Sequence, residues 1–352
     1  MKIIIITLLI SALQLFASDS LININEKYIS NLKQLTFGGL NAEAYFSPNG
    51  KEIVFQATKG NLKCDQIFTM NLKGENEVII STGKGRTTCG YFIPGTDRIV
   101  YASTHAAADD CLPDADRSKG YVWAVFDEYD IFTVKKDGTD LKQLTTTIGY
   151  DAECTVSSDG KKIIFTSSRD GDLELYEMNI DGTNQKRITF DNGYDGGAFY
   201  SNDGKQIIYR AHHPISIEDK KLGEDLLSNE LVKPSQMELF IINSDGSNKR
   251  QLTNNGAANF APYFTKDGKK IIFSSNVGDP NKFNFDLFIV DTSGANLEQI
   301  TFTDGFDGFP MISPDEKKII FASARGAKSR REINIFLADW NYKNIKKNVT
   351  PN

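Results

Sequence analysis

Beyond its first fifteen residues this 352-residue chain has no apolar run long enough to cross a membrane as a helix. Nor does it have an excess of basic charge: 40 Lys and Arg stand against 46 Asp and Glu, which argues against a nucleic-acid partner. It contains no Gly-x-Ser-x-Gly elbow, no His-Glu-x-x-His pair and no Cys-x-x-Cys. The usual sequence marks of a serine hydrolase, a zinc peptidase and a dithiol oxidoreductase are therefore missing. Cysteine is held to four residues, Cys64, Cys89, Cys111 and Cys154.

The N-terminus has a definite character. Lys2 precedes the apolar run Ile3 to Ile10, which continues through Leu13 and Leu15 to the small residues Ala17 and Ser18. This is the layout of a secretory signal peptide, expected over 1–17 with cleavage near Ala17. No Cys follows to carry a lipid anchor. The expected location is periplasmic or secreted, where disulfides are the default for four cysteines.

What fills the rest is repetition. A turn of Asp-Gly-Lys character followed by a short apolar strand occurs six times, each preceded by an apolar marker: Phe46, Phe92, Val156, Tyr200, Phe264 and Ile312. A further strand follows each copy, with an aliphatic and then an aromatic residue, as in Ile131-Phe132, Leu175-Tyr176 and Leu287-Phe288. A second Asp-Gly turn then leads to a Leu-Thr phrase such as Leu144-Thr145 or Leu252-Thr253. Asp-Gly between apolar runs signals a hairpin. Four short strands recurring six times at a period of about 40–50 residues predict an all-β fold, a six-bladed β-propeller of four-stranded antiparallel blades.

The Leu-Thr, Ser-Pro-Asp and Asp-Gly-Thr-Asn phrases resemble those of the TolB-type propeller repeat. The resemblance covers nearly the whole chain after the signal peptide and implies a TolB-like propeller over 34–352, behind a short leader at 18–33. With only 18–33 ahead of the propeller, no counterpart of the N-terminal domain of TolB is expected. Two repeats are lengthened by insertions, about 105–129 and 213–237, both between the second and third strands. Gln34-Leu35-Thr36 is expected as the outermost strand of the last blade, beside Ile335 and Phe336, with Asn348-Val349-Thr350 competing for that place.

Antiparallel connectivity places both insertions on one face of the disc, the face where loops carry function. Strand A of each blade, the innermost, should begin there with Asn41, Thr87, Asp151, Asp195, Asn259 and Asp307. The end of strand B adds Lys59, His105, Arg169, His213 and Arg325. Two readings stand. In one, these charges neutralise one another inside the blades. In the other, Asp151, Glu153, Asp195, Asn259 and Asp307, with Arg169, His105, His213 and Arg325, line a funnel that receives a cation, a basic peptide or a polyol. No cofactor is expected, and a Ca²⁺ ion would suit the oxygen-rich ring best. Pairing Cys64 with Cys89 and Cys111 with Cys154 repeats one relation between neighbouring blades and is the expected disulfide pattern.

The functional expectation is a monomeric, non-catalytic binding module. It would engage a protein, peptide or glycan of the cell envelope on its loop-rich face. The alternative is a metal-assisted lyase or lactonase, with His105, His212 or His213 as base.

Overall fold

The repeated phrase folds through its own side chains. In the third copy Ser157 Oγ donates to Asp159 Oδ1 (2.7 Å) and accepts the amide of Lys162 (3.0 Å). Asp159 in turn accepts the amide of Lys161 (3.1 Å), and Gly160 takes the left-handed φ of 71° that closes the turn. Ile163, Ile164 and Phe165 leave it as a strand with no exposure. The same hydroxyl–carboxylate bond recurs at Ser201–Asp203, Thr265–Asp267 and Ser313–Asp315.

The computed structural model describes residues 21–342 apart from 117 and 119. The expected signal peptide and the motif at 348–350 lie outside the described residues. Six antiparallel four-stranded sheets follow one another. Blade 1 comprises β2 (Leu40–Phe46), β3 (Glu52–Thr58), β4 (Gln66–Asn71) and β5 (Val78–Ile79). Blade 2 has β6 (Thr87–Phe92), β7 (Arg98–Ser103), β9 (Asp130–Lys135) and β10 (Lys142–Gln143). Blade 3 has β11 (Asp151–Val156), β12 (Lys162–Ser167), β13 (Glu174–Asn179) and β14 (Lys186–Arg187). Blade 4 has β15 (Tyr194–Tyr200), β16 (Gln206–His212), β18 (Glu238–Asn243) and β19 (Arg250–Gln251). Blade 5 has β20 (Asn259–Phe264), β21 (Lys270–Ser275), β22 (Asp286–Asp291) and β23 (Glu298–Gln299). Blade 6 takes β24 (Asp307–Ile312), β25 (Lys318–Ser323) and β26 (Asn334–Trp340) from the end of the chain, and β1 (Ile29–Gln34) from its beginning.

The ring is thus closed by the N-terminal strand, with Ile29 opposite Trp340 and Gln34 opposite Phe336. The Leu-Thr phrase explains the choice. In blades 2 and 3 its hydroxyl accepts the amide of the second residue of strand C, as Thr145 does from Ile131 (2.9 Å) and Thr189 from Leu175 (2.8 Å). Thr36 makes the same bond to Ile335 (2.8 Å) across the closure. The strand starts earlier than the phrase, at Ile29, within the residues read as a leader.

Apolar residues of adjacent blades interlock between the sheets. Ile93, Val100 and Ile131 of blade 2 pack with Cys154, Val156, Ile163 and Phe165 of blade 3. The two insertions join each other: β8 (Trp123–Ala124) pairs with β17 (Leu231–Val232), beside α1 (Ile217–Leu227). Ser216 starts that helix by accepting the amide of Asp219 (3.0 Å).

The expected disulfides are not formed. Cys64 is bonded to Cys111, while Cys89 and Cys154 are free thiols. The blade 2 insertion folds back over the loop that carries Cys64, bringing the two Cα atoms to 6.0 Å. Cys89 has φ 55°, which turns its side chain toward the axis, and Cys154 is fully buried between blades 2 and 3. The bond thus joins the loops between the second and third strands of blades 1 and 2, and leaves the two strand-A cysteines out of it.

Candidate functional site

All six residues that begin strand A are buried. Arg169 bonds Asp151 and Arg325 bonds Asp307, each at 2.7 Å. His213 Nε2 lies 2.8 Å from Asp195, and Asn259 accepts from Ser275 (2.7 Å). Thr87 donates to the carbonyl of Asp65 (2.9 Å), and Asn41 to that of Ile333 (2.9 Å).

The group after strand B lies over the aromatic rings of strands B and C. Arg169 covers Phe165 and Tyr176, Arg325 covers Phe321 and Phe336, and Lys59 covers Phe55 and Phe68. His105 and His213 pack tilted against Phe132 and Phe240, with ring centroids 4.2 and 4.9 Å apart. These residues form a cap on every blade but the fifth, where Val277 stands at that position. Burial raises the pKa of Asp151 and Asp307, and the facing guanidinium opposes the shift.

A different set lines the axis. The pairing of strands A and B slips once in every blade, between Ala42 and Tyr45 in the first and at the equivalent place in the others. The residue at the slip takes a left-handed backbone: Glu43 (φ 51°), Cys89 (55°), Glu153 (56°), Gly197 (58°), Ala261 (46°) and Phe309 (55°). A bulge re-aims one side chain out of the strand's alternation. Here all six line one narrow axial passage of about 30 Å³, together with Tyr45 and Arg210.

Half of this ring is polar. Arg210 enters from β16, pairs with Glu153 and bonds the Tyr194 hydroxyl (2.7 Å). Gly197 makes room for it, since an added Cβ would stand 2.5 Å from the guanidinium. Burial pushes the Glu43 carboxyl up to about 7, against the opposing hydrogen bond with Cys89 and the charge of Arg210. Burial likewise keeps the Cys89 thiol protonated by raising its pKa well above the usual range. Of the residues expected in the funnel, only Glu153 lines this passage; Glu43 and Arg210 are not among the sequence candidates, and Cys89 is expected there only as half of a disulfide. The signal was available, because the bulge residue always stands three positions before the apolar marker.

The two ends of the passage differ. On the face of the tight turns lies a cavity of about 230 Å³ lined by Phe46, Pro48, Tyr91, Pro94, Tyr263 and Pro314 among others, with Phe199 common to it and the passage. On the loop-rich face Trp123 of β8 packs on Phe260 (5.1 Å between rings), with the Arg210 guanidinium 5.2 Å from its ring. The joined insertions therefore cover the polar half of the ring. Beside them, between α1 and the loops of blade 3, runs a groove of about 550 Å³ whose walls include Asp170, Asp172, Arg187, His212, Leu222 and Leu227. Its polar groups are partly engaged: His212 Nε2 lies 3.1 Å from Asp219, and Arg187 pairs with Asp170 (3.3 Å) and Glu174 (2.5 Å).

Known proteins of similar fold include TolB structures and an oligogalacturonate lyase. The sequence profile of the TolB beta propeller domain matches residues 113–228, and no curated protein matches the sequence. A structure assigned as TolB from Agrobacterium tumefaciens is similar at TM-score 0.56 and 18% identity, over 86% of this chain and 91% of that one. TolB from Acinetobacter baumannii is similar at TM-score 0.55 and 19% identity, over 86% of this chain and 64% of that one. An oligogalacturonate lyase in complex with manganese is similar at TM-score 0.51 and 14% identity, over 88% of this chain and 93% of that one. At such identities the likeness to these structures is one of fold. The chain is a six-bladed β-propeller, with a stretch at 113–228 similar to the TolB propeller domain.

Proposed function

We propose that this protein is an exported, non-catalytic binding module. Its loop-rich face would hold an extended segment of a protein of the cell envelope, seated in the groove between α1 and blade 3. The groove is the observation that carries this reading. At about 550 Å³ it has the size of a ligand site. One wall offers aliphatic side chains of α1, and the other offers the carboxylates and the guanidinium of blade 3. Loops of the same face carry exposed apolar side chains: Phe37, Ile148 and Phe190 between blades, Ile215 and Ile217 before and at the start of α1, and Phe283 in blade 5. Apolar side chains gathered on one face mark an interaction surface. The Cys64–Cys111 bond suits an oxidising compartment outside the cytoplasm.

The test has two stages. Proteins retained from an envelope extract by the immobilised chain are purified, and the Kd of each is measured for wild type and for Leu222→Asp, which places a charge on the exposed wall of α1. A loss of ten-fold or more in the variant supports the groove as the binding surface. Equal affinity for every retained protein would remove it.

A further inference from the structure

Blade 4 departs from its neighbours at one point, and the departure concerns charge. In blades 3 and 6 the strand-A aspartate faces a permanent cation, Arg169 or Arg325. In blade 4 the equivalent residue is His213, with Nε2 2.8 Å from Asp195 Oδ1. Blade 5 supplies the second comparison. There Asn255, two residues after the Leu-Thr phrase, exchanges hydrogen bonds of 3.1 and 3.3 Å with Asn259 at the start of strand A. The same two positions in blade 4 are Asp191 and Asp195. An amide pair that satisfies itself has been replaced by two carboxylates that repel.

Donor atoms of Asp191, Asp195 and His213 all lie within 4.8 Å of one another. Asp195 is 1% exposed, and its second oxygen, Oδ2, is buried with no hydrogen-bond partner. Asp151 and Asp307 also leave one oxygen unpartnered, but each has a guanidinium to balance its charge. The cation that Asp191 meets is Lys249, a flexible side chain just before β19. Asp172 and Glu174 are further carboxyl groups within electrostatic reach of Asp195, with Arg187 bonded to Glu174.

We propose that Asp191, Asp195 and His213 form a binding site for a divalent transition-metal ion, reached from solvent past Asp191 and His213. Two carboxylates and an imidazole suit zinc or manganese, with the remaining positions taken by water. Calcium, which asks for six to eight oxygen ligands, is a poor match for three donors that include a nitrogen. Binding would displace Lys249 from Asp191 and relieve the repulsion between the two carboxylates.

The experiment uses the untagged full chain, stripped with a chelator and titrated calorimetrically with Zn²⁺, Mn²⁺ and Ca²⁺. One Zn²⁺ should bind per chain, with Mn²⁺ weaker and Ca²⁺ undetected. Asp191→Asn copies blade 5 and should fold while losing at least ten-fold in Zn²⁺ affinity. Lys249→Met removes the competing cation and should tighten binding several-fold, which a purely structural role for these carboxylates would not produce. His212→Ala, at the neighbouring residue, should leave affinity unchanged. Absence of stoichiometric Zn²⁺ binding would overturn the proposal. So would unchanged affinity in Asp191→Asn, or a loss that follows His212 instead.

Discussion

Glu26 holds Arg325 through two charge-assisted hydrogen bonds of 3.0 and 3.1 Å, with both side chains buried and a sequence separation of 299. The same guanidinium bonds Asp307 at 2.7 Å. The residues ahead of β1 are therefore tied to the cap of blade 6 as firmly as β1 is to β26. Removing one partner of a buried ion pair costs about 3–5 kcal/mol. Because Asp307 remains on Arg325, Glu26→Ala should fall near the lower end, seen as an earlier urea midpoint with an unchanged slope. A variant as stable as wild type would mean that this segment does not secure the closure.

The disulfide prediction is one of connectivity and of energy. Non-reducing peptide mapping should recover Cys64 joined to Cys111, with Cys89 and Cys154 unlabelled by a thiol reagent until the protein is unfolded. The bond spans a sequence separation of 47, so Cys64→Ser should cost about 2–4 kcal/mol.

Stability should fall between mildly acid and neutral pH. Glu43 is raised from 4.5 to about 7, so between those values the folded protein holds a proton that the unfolded chain has lost. The stabilisation is full below about 4.5 and is lost as pH rises toward 7, by on the order of 3 kcal/mol for this one group. Asp286 and Glu174, each raised to about 7 by burial, act in the same sense. Denaturation at pH 5, 6, 7 and 8 should show the decline, and Glu43→Gln should flatten it. An equal slope in the variant would show that Glu43 is charged in the folded state.

Gly197→Ala meets two obstacles at once. The backbone there has φ 58°, and the new Cβ would lie 2.5 Å from the Arg210 guanidinium. A left-handed backbone alone costs about 1–2 kcal/mol for a residue with a side chain. Displacing Arg210 from Glu153 should bring the total above about 2 kcal/mol. Gly204→Ala shares a positive φ but meets nothing within 4 Å. It should cost less, and the difference between the two midpoints isolates the contribution of Arg210.

The blades and their closure could be read from the sequence because their determinants are local. Thr36 closes the ring with the same bond that Thr145 and Thr189 make in inner blades, so its phrase announced its place. The blade caps were also visible, as aspartate and arginine at fixed distances from the markers. The axial ring was not. Its residues break the two-residue alternation of a strand, and a bulge is defined only against the partner's register. The disulfide was hidden for another reason. The insertions take their form from pairing with each other across two blades, Val232 against Trp123, which no periodicity records.

Closure by β1 also sets an order of events during synthesis. The strand that completes the disc leaves the ribosome among the first, and β26, its partner, among the last. Such pairing of distant segments is the slow step in β folding. A chain cut short inside blade 6 would be an open arc, because nothing remains for β1 to meet. It would carry two bare strand edges, the form in which β-sheets associate with one another.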